Sequence, residues 1–367
     1  MKKFTLFLVI VFLSIIFFYP FQHTRAQDNP KKTTIILVDP YLEDVESIIY
    51  FIENKLIDIP KVELVGVFYT KAINDFAKIN QFLEDQRYSY IRLELIDGNL
   101  IEDELFKNNS LSDKFYTLFK ESDAILFFGG YDIPPSIYGQ KTKSTTNIYN
   151  PNRYYFELSL LFHLLGGSQN NNFRPYLEEN PNYIIHGYCL GMQTMNVATG
   201  GSLVQNIPNE IYGLDYVEDI LNLDRDKQHY QYYYSLTKDI NFRFNFHKIS
   251  FVQTDYFTNV FNYDTTFHPF VFSNHQQSVL NLGKGFNIAA TSMDKKVIEA
   301  ISHSKYKNVL GLQFHPEIEE LYKINDKKFK ISPNDTSLIS YNEFLLNNNS
   351  LKFHKEYWKF FSELFKK

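Results

Sequence analysis

The sequence predicts an α/β fold: a three-layer sandwich with a mainly parallel central sheet, extended by antiparallel strands. Two observations support this prediction. Over residues 33–200, short apolar runs rich in β-formers alternate with amphipathic helical patterns, which is typical of βαβ units. Over residues 246–314, short strand patterns are separated by turn signals, which favours antiparallel pairing. With 367 residues, 44% of them hydrophobic, the chain can bury a large core.

The elements are predicted in chain order from these patterns. Strands are predicted over residues 33–39, 62–69, 90–96, 124–128 and 183–185, with helices over 45–56, 72–85, 111–120, 154–165 and 192–198. Five antiparallel strands over 246–252, 270–273, 286–291, 297–302 and 309–314 precede a terminal helix over 351–367. The polar, tyrosine-rich stretch 210–239 is predicted to be a surface excursion, and the Asn/Lys-rich stretch 323–350 a surface loop.

The first 26 residues have the pattern of a signal peptide. Two lysines precede an apolar run over residues 4–18, and a small-x-Ala sequence suited to cleavage ends at Ala26. We therefore expect an exported protein, periplasmic or secreted, whose mature chain begins near Gln27 and forms a single domain over 27–367. The alternative is an uncleaved N-terminal anchor, although the apolar run is somewhat short to span a bilayer.

Composition and motif content exclude several classes of function. A formal net charge of −5 leaves no basic surface for nucleic acid. No phosphate loop, nucleotide fingerprint or metal-binding cluster stands out, so the sequence predicts no cofactor and no metal. Because the chain has one cysteine, it can form no internal disulfide even after export. The oligomeric state is left open, with a homodimer as one alternative.

Residues 182–207 carry the strongest chemical signal. The apolar strand pattern at 183–185 turns through G-Y-C-L-G at 187–191 into a helical pattern, which is the arrangement of a nucleophile elbow. Both glycines are needed because a Cβ in so sharp a turn would collide with the strand or the helix. The turn places Cys189 at a helix N-terminus, where the positive end of the dipole favours a thiolate.

A later strand provides the partners that a reactive thiol needs. The apolar run at 309–314 is followed directly by His315, Pro316 and Glu317. A base must take the thiol proton, and a second group must hold the tautomer of that base. His315 and Glu317 fit these two roles, so the two motifs together predict a Cys-His-Glu triad.

These motifs resemble the class I glutamine amidotransferase-like superfamily. The segments G-Y-C-L-G-M-Q at 187–193 and G-L-Q-F-H-P-E at 311–317 are similar to those around the superfamily's triad. F-F-G-G-Y-D-I-P-P-S-I-Y-G at 127–139 and S-N-H-Q-Q at 273–277 resemble the branch of γ-glutamyl hydrolases and γ-glutamyl-γ-aminobutyrate hydrolases. The resemblance implies a flavodoxin-like α/β fold and a cysteine peptidase-like hydrolase that cleaves γ-glutamyl amide or peptide bonds through a thioester.

The resemblance also implies a role for each matching residue. Cys189 would be the nucleophile, His315 the general base and Glu317 its orienting group. The backbone N–H groups of Gly130 and Leu190 would form the oxyanion hole, and Gln193, His275 and Gly129 would contact a small γ-glutamyl substrate. Leu190 is a departure, since the γ-glutamyl-γ-aminobutyrate branch usually has arginine there.

Three functions remain open on the sequence alone. An exported γ-glutamyl hydrolase accounts for both the triad motifs and the signal peptide. A glutaminase subunit of an amidotransferase is a second reading, but its synthase partner would need ATP, which is scarce outside the cytoplasm. A catalytically silent binding protein on the same fold is a third, against which the intact Cys-His-Glu set argues.

Overall fold

A mixed ten-stranded sheet is the centre of the fold. The computed structural model describes residues 32–72, 75–242, 245–253, 256–259, 261–324, 327–330 and 335–366. The predicted signal peptide, residues 1–26, lies outside the described residues. The strands are β1 (Thr33–Val38), β2 (Val62–Tyr69), β3 (Ile91–Ile96), β4 (Ala124–Phe127), β5 (Ile184–Tyr188), β6 (Ser202–Val204), β7 (Asn245–Phe251), β8 (Phe270–Ser273), β9 (Ser278–Asn281), β10 (Phe286–Ser292), β11 (Ile298–His303), β12 (Val309–Leu312), β13 (Lys328–Phe329) and β14 (Ile339–Ser340).

Helices cover the sheet and connect its strands. They are α1 (Leu42–Glu53), α2 (Phe76–Gln86), α3 (Ser112–Glu121), α4 (Pro151–Leu165), α5 (Leu190–Ala198), α6 (Ile207–Tyr212), α7 (Val217–Ile220), α8 (Tyr232–Thr237), α9 (Tyr256–Asn259), α10 (Tyr341–Asn347) and α11 (Leu351–Glu363). Short 3₁₀ turns lie at Glu102–Glu104, Pro135–Tyr138, Tyr176–Glu178, Arg225–Lys227, Ile240–Phe242, Glu319–Leu321 and Leu364–Lys366. Among the described residues, none of the helices combines the length and the apolar character that crossing a bilayer requires.

The strand order confirms the predicted α/β architecture. The order is β3-β2-β1-β4-β5-β12-β11-β10-β7-β8. The first six strands run parallel, and β11, β10, β7 and β8 extend the sheet as antiparallel neighbours. The prediction was wrong for β12, which pairs parallel with β5 and antiparallel with β11. This strand therefore joins the two parts of the sheet, and β5 and β12 lie side by side.

Two apolar layers pack on opposite faces of the sheet. One contains Phe51 of α1 and Trp358 of α11, and the other contains Phe115 of α3, Phe156 of α4 and Met192 of α5. All five side chains are almost completely buried. Burial of such large side chains on both faces is the main favourable term in folding and explains why the parallel strands read as continuous apolar runs.

The predicted loop over 323–350 was wrong in its second half. Helix α10 lies there, and its Tyr341, Phe344 and Leu345 side chains are buried. The Ser340 hydroxyl accepts a hydrogen bond from the Glu343 N–H and caps the helix. The Asn-rich composition concealed this short amphipathic pattern.

The 210–239 segment is more structured than the predicted surface excursion. It contains the second half of α6, all of α7 and α8, and a 3₁₀ turn. Most of its residues are exposed or half-buried, but His229, Gln231 and Tyr232 are buried. The segment therefore packs onto the sheet at the carboxyl end of β8, where Ser273 donates a hydrogen bond to the His229 carbonyl at 2.7 Å.

Candidate active site

The β5–α5 turn has the geometry of a nucleophile elbow. Cys189 lies between the last residue of β5 and the first residue of α5, with φ 51° and ψ −103°. Positive φ is uncommon for a residue with a side chain and persists only where the surroundings enforce it. Here the Cys189 N–H donates to the Leu312 carbonyl of β12 at 2.7 Å, so the neighbouring strand holds the turn.

The two glycines of the turn are required by close backbone contacts. A Cβ on Gly187 would lie 2.6 Å from the Gly191 carbonyl carbon, and one on Gly191 would lie 2.4 Å from the Phe127 carbonyl oxygen. Both contacts are with backbone, which cannot rotate away as a side chain can. The structure thus agrees with the steric argument made from the sequence.

The adjacent strand β12 brings His315 and Glu317 to the cysteine. The His315 Nδ1 lies 2.6 Å from Glu317 Oε1, and the same ring is hydrogen-bonded to Cys189. Because a carboxylate only accepts hydrogen bonds, Nδ1 carries a proton and Nε2 faces the thiol. Glu317 is almost completely buried, whereas Cys189 is 7% exposed and reachable from the cleft. The three predicted triad residues are therefore in contact.

The electrostatics of the site favour a charged imidazole. Burial alone would lower the pKa of His315, but the Glu317 carboxylate and the Cys189 sulfur raise it well above its usual value. A protonated imidazole next to the sulfur is the arrangement that activates catalytic cysteines.

Hydrogen bonds to neighbouring residues hold the backbone at His315 and Pro316. Tyr322 Oη donates to the Pro316 carbonyl at 2.7 Å, and Trp358 Nε1 donates to the same oxygen at 3.1 Å. The His315 N–H donates to the Phe272 carbonyl at 3.0 Å. These bonds fix the backbone on both sides of the base.

The turn at Gly129 and Gly130, which follows β4, forms another wall of the candidate site. A Cβ on Gly129 would lie 3.2 Å from His315 Cε1, and one on Gly130 would lie 2.7 Å from Leu190 Cδ2. The turn therefore touches both the base and the start of α5. Leu190 is the first residue of α5, so its N–H has no acceptor within the helix.

A buried ion-pair group supports this turn and was not predicted from the sequence. Arg153 Nη2 donates to the Gly129 carbonyl at 3.0 Å. Its Nε lies 2.8 Å from Glu157 Oε1 and 3.3 Å from Asp39 Oδ2, and its Nη1 donates to Tyr41 Oη at 3.0 Å. Burial opposes the charge, but Glu157 and Asp39 together raise the pKa of Arg153. The only local signal was the i,i+4 spacing of Arg153 and Glu157 on α4.

The cleft at Cys189 has a volume of about 220 Å³ and a polar lining. It is lined by Gly130, Tyr131, Asp132, Asn147, Cys189, Gln193, Tyr230, Asn274, His275, Gln276 and Gln277. Gln193 Nε2 donates to Gln313 Oε1 at 3.1 Å and to the Gln277 carbonyl at 3.3 Å. Gly129 contacts the base rather than lining this cleft.

Two further lining residues differ in what they offer a ligand. His275 Nδ1 is 2.9 Å from the Gln277 carbonyl, and its Nε2 is 3.8 Å from Glu299 Oε2, so both ring nitrogens are directed away from the predicted substrate contact. The side-chain amide of Gln277 is buried and has no hydrogen-bond partner in the described part of the chain. Gln277 ends the S-N-H-Q-Q segment at 273–277, so the motif contained this signal.

Comparison with known proteins agrees with the geometry. The family model described as Peptidase C26 matches residues 106–317 and so ends on Glu317. A glutamine amidotransferase-like protein of Lactococcus lactis is 26% identical over 215 residues, which cover 58% of this chain and 74% of that protein. One from Rickettsia prowazekii is 27% identical over 231 residues, which cover 56% and 74%.

A third relative shares a shorter segment. A protein of Mycobacterium tuberculosis named as a glutamine amidotransferase is 36% identical over 86 residues, 23% of each chain. The Peptidase C26 match covers more than half of the chain and contains the β5–α5 turn, and the sheet has the architecture predicted for the superfamily. The chain therefore belongs to the Peptidase C26 family of cysteine hydrolases, within the class I glutamine amidotransferase-like superfamily.

Proposed function

We propose that this protein is an exported cysteine hydrolase that cleaves γ-glutamyl amide or peptide bonds. The observation that supports this most directly is the contact of Cys189, His315 and Glu317 at one end of a polar cleft. The family supports a hydrolase in general. The γ-glutamyl specificity is our inference from the motifs at 127–139 and 273–277.

In the proposed mechanism, Cys189 attacks the γ-carbonyl carbon of the substrate. The sulfur forms a bond to that carbon, and the carbonyl oxygen becomes an oxyanion that the N–H groups of Gly130 and Leu190 stabilise. When the intermediate collapses, the carbon–nitrogen bond breaks and His315 gives its proton to the leaving amine. Water then attacks the thioester with His315 as base, which releases glutamate and restores the thiol.

The cleft offers places for both halves of such a substrate. Neutral amides of Gln193 and Gln277 line it near Cys189, and they can hydrogen-bond to the α-amino and α-carboxylate groups of a glutamyl moiety. A second cleft of about 630 Å³ shares Asn147, Tyr230 and Gln276 with the first. The leaving group would extend into this second cleft, which α7 and the start of α8 line in part.

The test is glutamate release from a panel of γ-glutamyl compounds. The panel contains glutamine, γ-glutamyl dipeptides, γ-glutamyl-γ-aminobutyrate and poly-γ-glutamate, and wild type is compared with Cys189→Ala. We expect turnover by wild type and none by the variant, because the variant lacks the nucleophile. Turnover of Cys189→Ala near the wild-type rate would contradict the triad.

Alkylation of the thiol is the companion measurement. Since Cys189 is the only cysteine, iodoacetamide incorporation reports on this thiol alone. Fast alkylation near neutral pH, with no turnover of any panel member, would favour a glutaminase that is active only when its partner is bound. Slow alkylation without turnover would favour a silent binding protein.

The proposed export is tested by determining the N-terminus of the mature protein. Export predicts that the protein recovered from its native cell begins near Gln27, after cleavage at Ala26. An intact N-terminus in the membrane fraction would instead support the uncleaved anchor.

A further inference from the structure

Three histidines and one glutamate form a buried cluster beside the cleft. His229, His247, His275 and Glu299 each offer one nitrogen or oxygen, and these four atoms all lie within 4.8 Å of one another. The exposed fraction of every one of these side chains is 3% or less. They come from the loop before α8, from β7, from the segment after β8 and from β11, so only the folded sheet brings them together.

The cluster has polar atoms that the surrounding protein does not satisfy. Within the described residues, both oxygens of Glu299, both ring nitrogens of His229, and the Nε2 atoms of His247 and His275 lack hydrogen-bond partners. Burying an unpaired carboxylate among imidazoles is costly unless a positive charge compensates it. In the described part of the chain, the ionisable side chains that lie within 4 Å of the Glu299 carboxylate are these three imidazoles.

The outer atoms of two rings are already held as in a metal site. His275 Nδ1 lies 2.9 Å from the Gln277 carbonyl, and His247 Nδ1 lies 3.1 Å from the Lys248 carbonyl. Because a carbonyl only accepts, each Nδ1 carries the proton and each Nε2 lone pair is directed at the cluster. Metal-binding histidines are fixed in this way by hydrogen bonds from their second nitrogen.

The third ring is fixed through its backbone. The His229 carbonyl accepts hydrogen bonds from Ser273 Oγ at 2.7 Å and from the His275 N–H at 2.9 Å. These two bonds hold the His229 backbone against the segment after β8, so the ring is placed by backbone contacts.

The distances fit a small divalent ion with nitrogen and oxygen ligands. Glu299 oxygens lie 3.1 Å from His229 Nδ1, 3.7 Å from His247 Nε2 and 3.8 Å from His275 Nε2. In a tetrahedral zinc site with ligands at about 2.0–2.2 Å, neighbouring ligand atoms are about 3.3–3.6 Å apart. A pair of ligand atoms 4.8 Å apart would have to close by about 1.2–1.5 Å on binding.

We propose that His229, His247, His275 and Glu299 bind one divalent transition-metal ion of the zinc type. The donor set of three imidazoles and one carboxylate supplies four ligands, and the burial of all four side chains is typical of a structural site. The ion would fasten the loop before α8 to β7, β11 and the segment after β8. That segment contains Gln277, so the ion would also support one wall of the cleft.

Metal content and cobalt binding test this proposal on the full chain. Protein from zinc-supplemented medium is desalted, its metal is quantified by mass spectrometry, and chelator-stripped protein is titrated with Co²⁺. The variants Glu299→Gln and His247→Gln remove one ligand each. The controls are His163→Gln, which changes a buried histidine of α4 outside the cluster, and Cys189→Ala.

We expect one zinc ion per chain in wild type and in both controls. Stripped wild type should give the visible absorption of tetrahedral Co²⁺ without a sulfur-to-cobalt charge-transfer band. Glu299→Gln and His247→Gln should bind at least about 100-fold more weakly, because each loses a direct ligand. Removal of the metal from wild-type protein should lower its Tm, and added zinc should restore it. This measurement needs no variant, so it tests the site even where a variant fails to fold.

Three results would overturn the proposal. One is wild-type protein that binds neither Zn²⁺ nor Co²⁺ and whose Tm does not respond to either. The other is unchanged affinity in folded Glu299→Gln, which would place the ion elsewhere. Loss of the cobalt spectrum in Cys189→Ala would also assign the ion to the thiol instead of this cluster.

Discussion

At the scale of single residues, backbone contacts decide which side chains the active site tolerates. Residues 187 and 191 are glycines because a Cβ there would lie 2.6 Å from the α5 backbone at Gly187 and 2.4 Å from the β4 backbone at Gly191. Cys189 itself takes a positive φ that its neighbours impose. The turn is therefore a place where stability and reactivity depend on the same atoms.

Gly191→Ala should destabilise the protein strongly. The new Cβ would lie 2.4 Å from the Phe127 carbonyl oxygen, so the start of α5 or the end of β4 must move. We expect the free energy of unfolding to fall by about 3 kcal/mol or more, measured by urea denaturation. The control is Gly139→Ala, where φ is +73° but nothing lies within 4 Å; it should cost about 1 kcal/mol. Equal losses would mean that the Gly191 contact relaxes freely.

The sequence predicted the candidate triad but not the buried charged groups around the cleft. Cys189, His315 and Glu317 lie in short motifs whose local pattern predicts a nucleophile, a base and a group that orients the base. Arg153 donates to the Gly129 carbonyl, and Glu299 lies beside three histidines that are distant in the sequence, so both environments depend on which strands are neighbours. Strand neighbours are set by long-range topology, which residue spacing does not encode.

At the scale of elements, α4 acts as the support of the Gly129–Gly130 turn. Arg153, at its first turn, joins the turn to Glu157 and to Asp39 after β1. The predicted elements were mostly confirmed because apolar runs in β1 to β5 and amphipathic helices have strong periodic patterns. Very short elements such as β6, β9 and α10 were missed, since three to seven residues give little periodicity.

Arg153→Lys should lower kcat while leaving the thiol reactive. Lysine keeps a positive charge near Glu157 but cannot donate simultaneously to the Gly129 carbonyl and to Tyr41. A displaced turn would weaken the proposed Gly130 donor, so we expect kcat to fall about 100-fold. The rate of Cys189 alkylation should change by less than about twofold, because the triad does not include this arginine.

Arg174→Lys is the matched control for that comparison. Arg174 is exposed and pairs with Glu178 at i,i+4, so its replacement should leave kcat and stability unchanged. If Arg153→Lys slowed alkylation as much as turnover, the arginine would act on the whole site and not on the turn.

At the scale of the whole molecule, the parallel and antiparallel parts of the sheet contribute different residues to the candidate site. The parallel strands provide the carboxyl-end edge on which Cys189 and Gly130 lie, as expected for α/β folds. The antiparallel extension contributes the wall that contains His275 and Gln277. Strand β12 touches both parts and delivers His315 between them.

The packed core also makes the protein sensitive to acid. Burial lowers the pKa of His163 to about 4 and that of His186 to about 3. His163 is neutral, with Nδ1 bonded to the Ser159 carbonyl and Nε2 to the Ser112 hydroxyl, both at 2.7 Å. In the unfolded chain these rings bind protons at a pKa of about 6.5, so acid favours unfolding.

The stability that depends on these two neutral rings should be largely retained above about pH 6.5 and should decline as the pH falls below it. Each of these histidines should cost about 2 kcal/mol of unfolding free energy by pH 5. Urea denaturation at pH 7 and pH 5 measures the loss, and His163→Gln should show a smaller difference between the two because glutamine cannot be charged. An identical difference in the variant would rule out His163 as a contributor.

The hydrogen bond from Trp358 to the Pro316 carbonyl has a spectroscopic consequence. Trp358 is the only tryptophan of the chain, it is buried, and it donates to the backbone between His315 and Glu317. The tryptophan emission of this protein therefore comes from one indole whose N–H is bonded to the turn that contains His315 and Glu317. We expect a movement of that turn in the proposed acylation step to change the tryptophan emission, which would let turnover be followed without an added label.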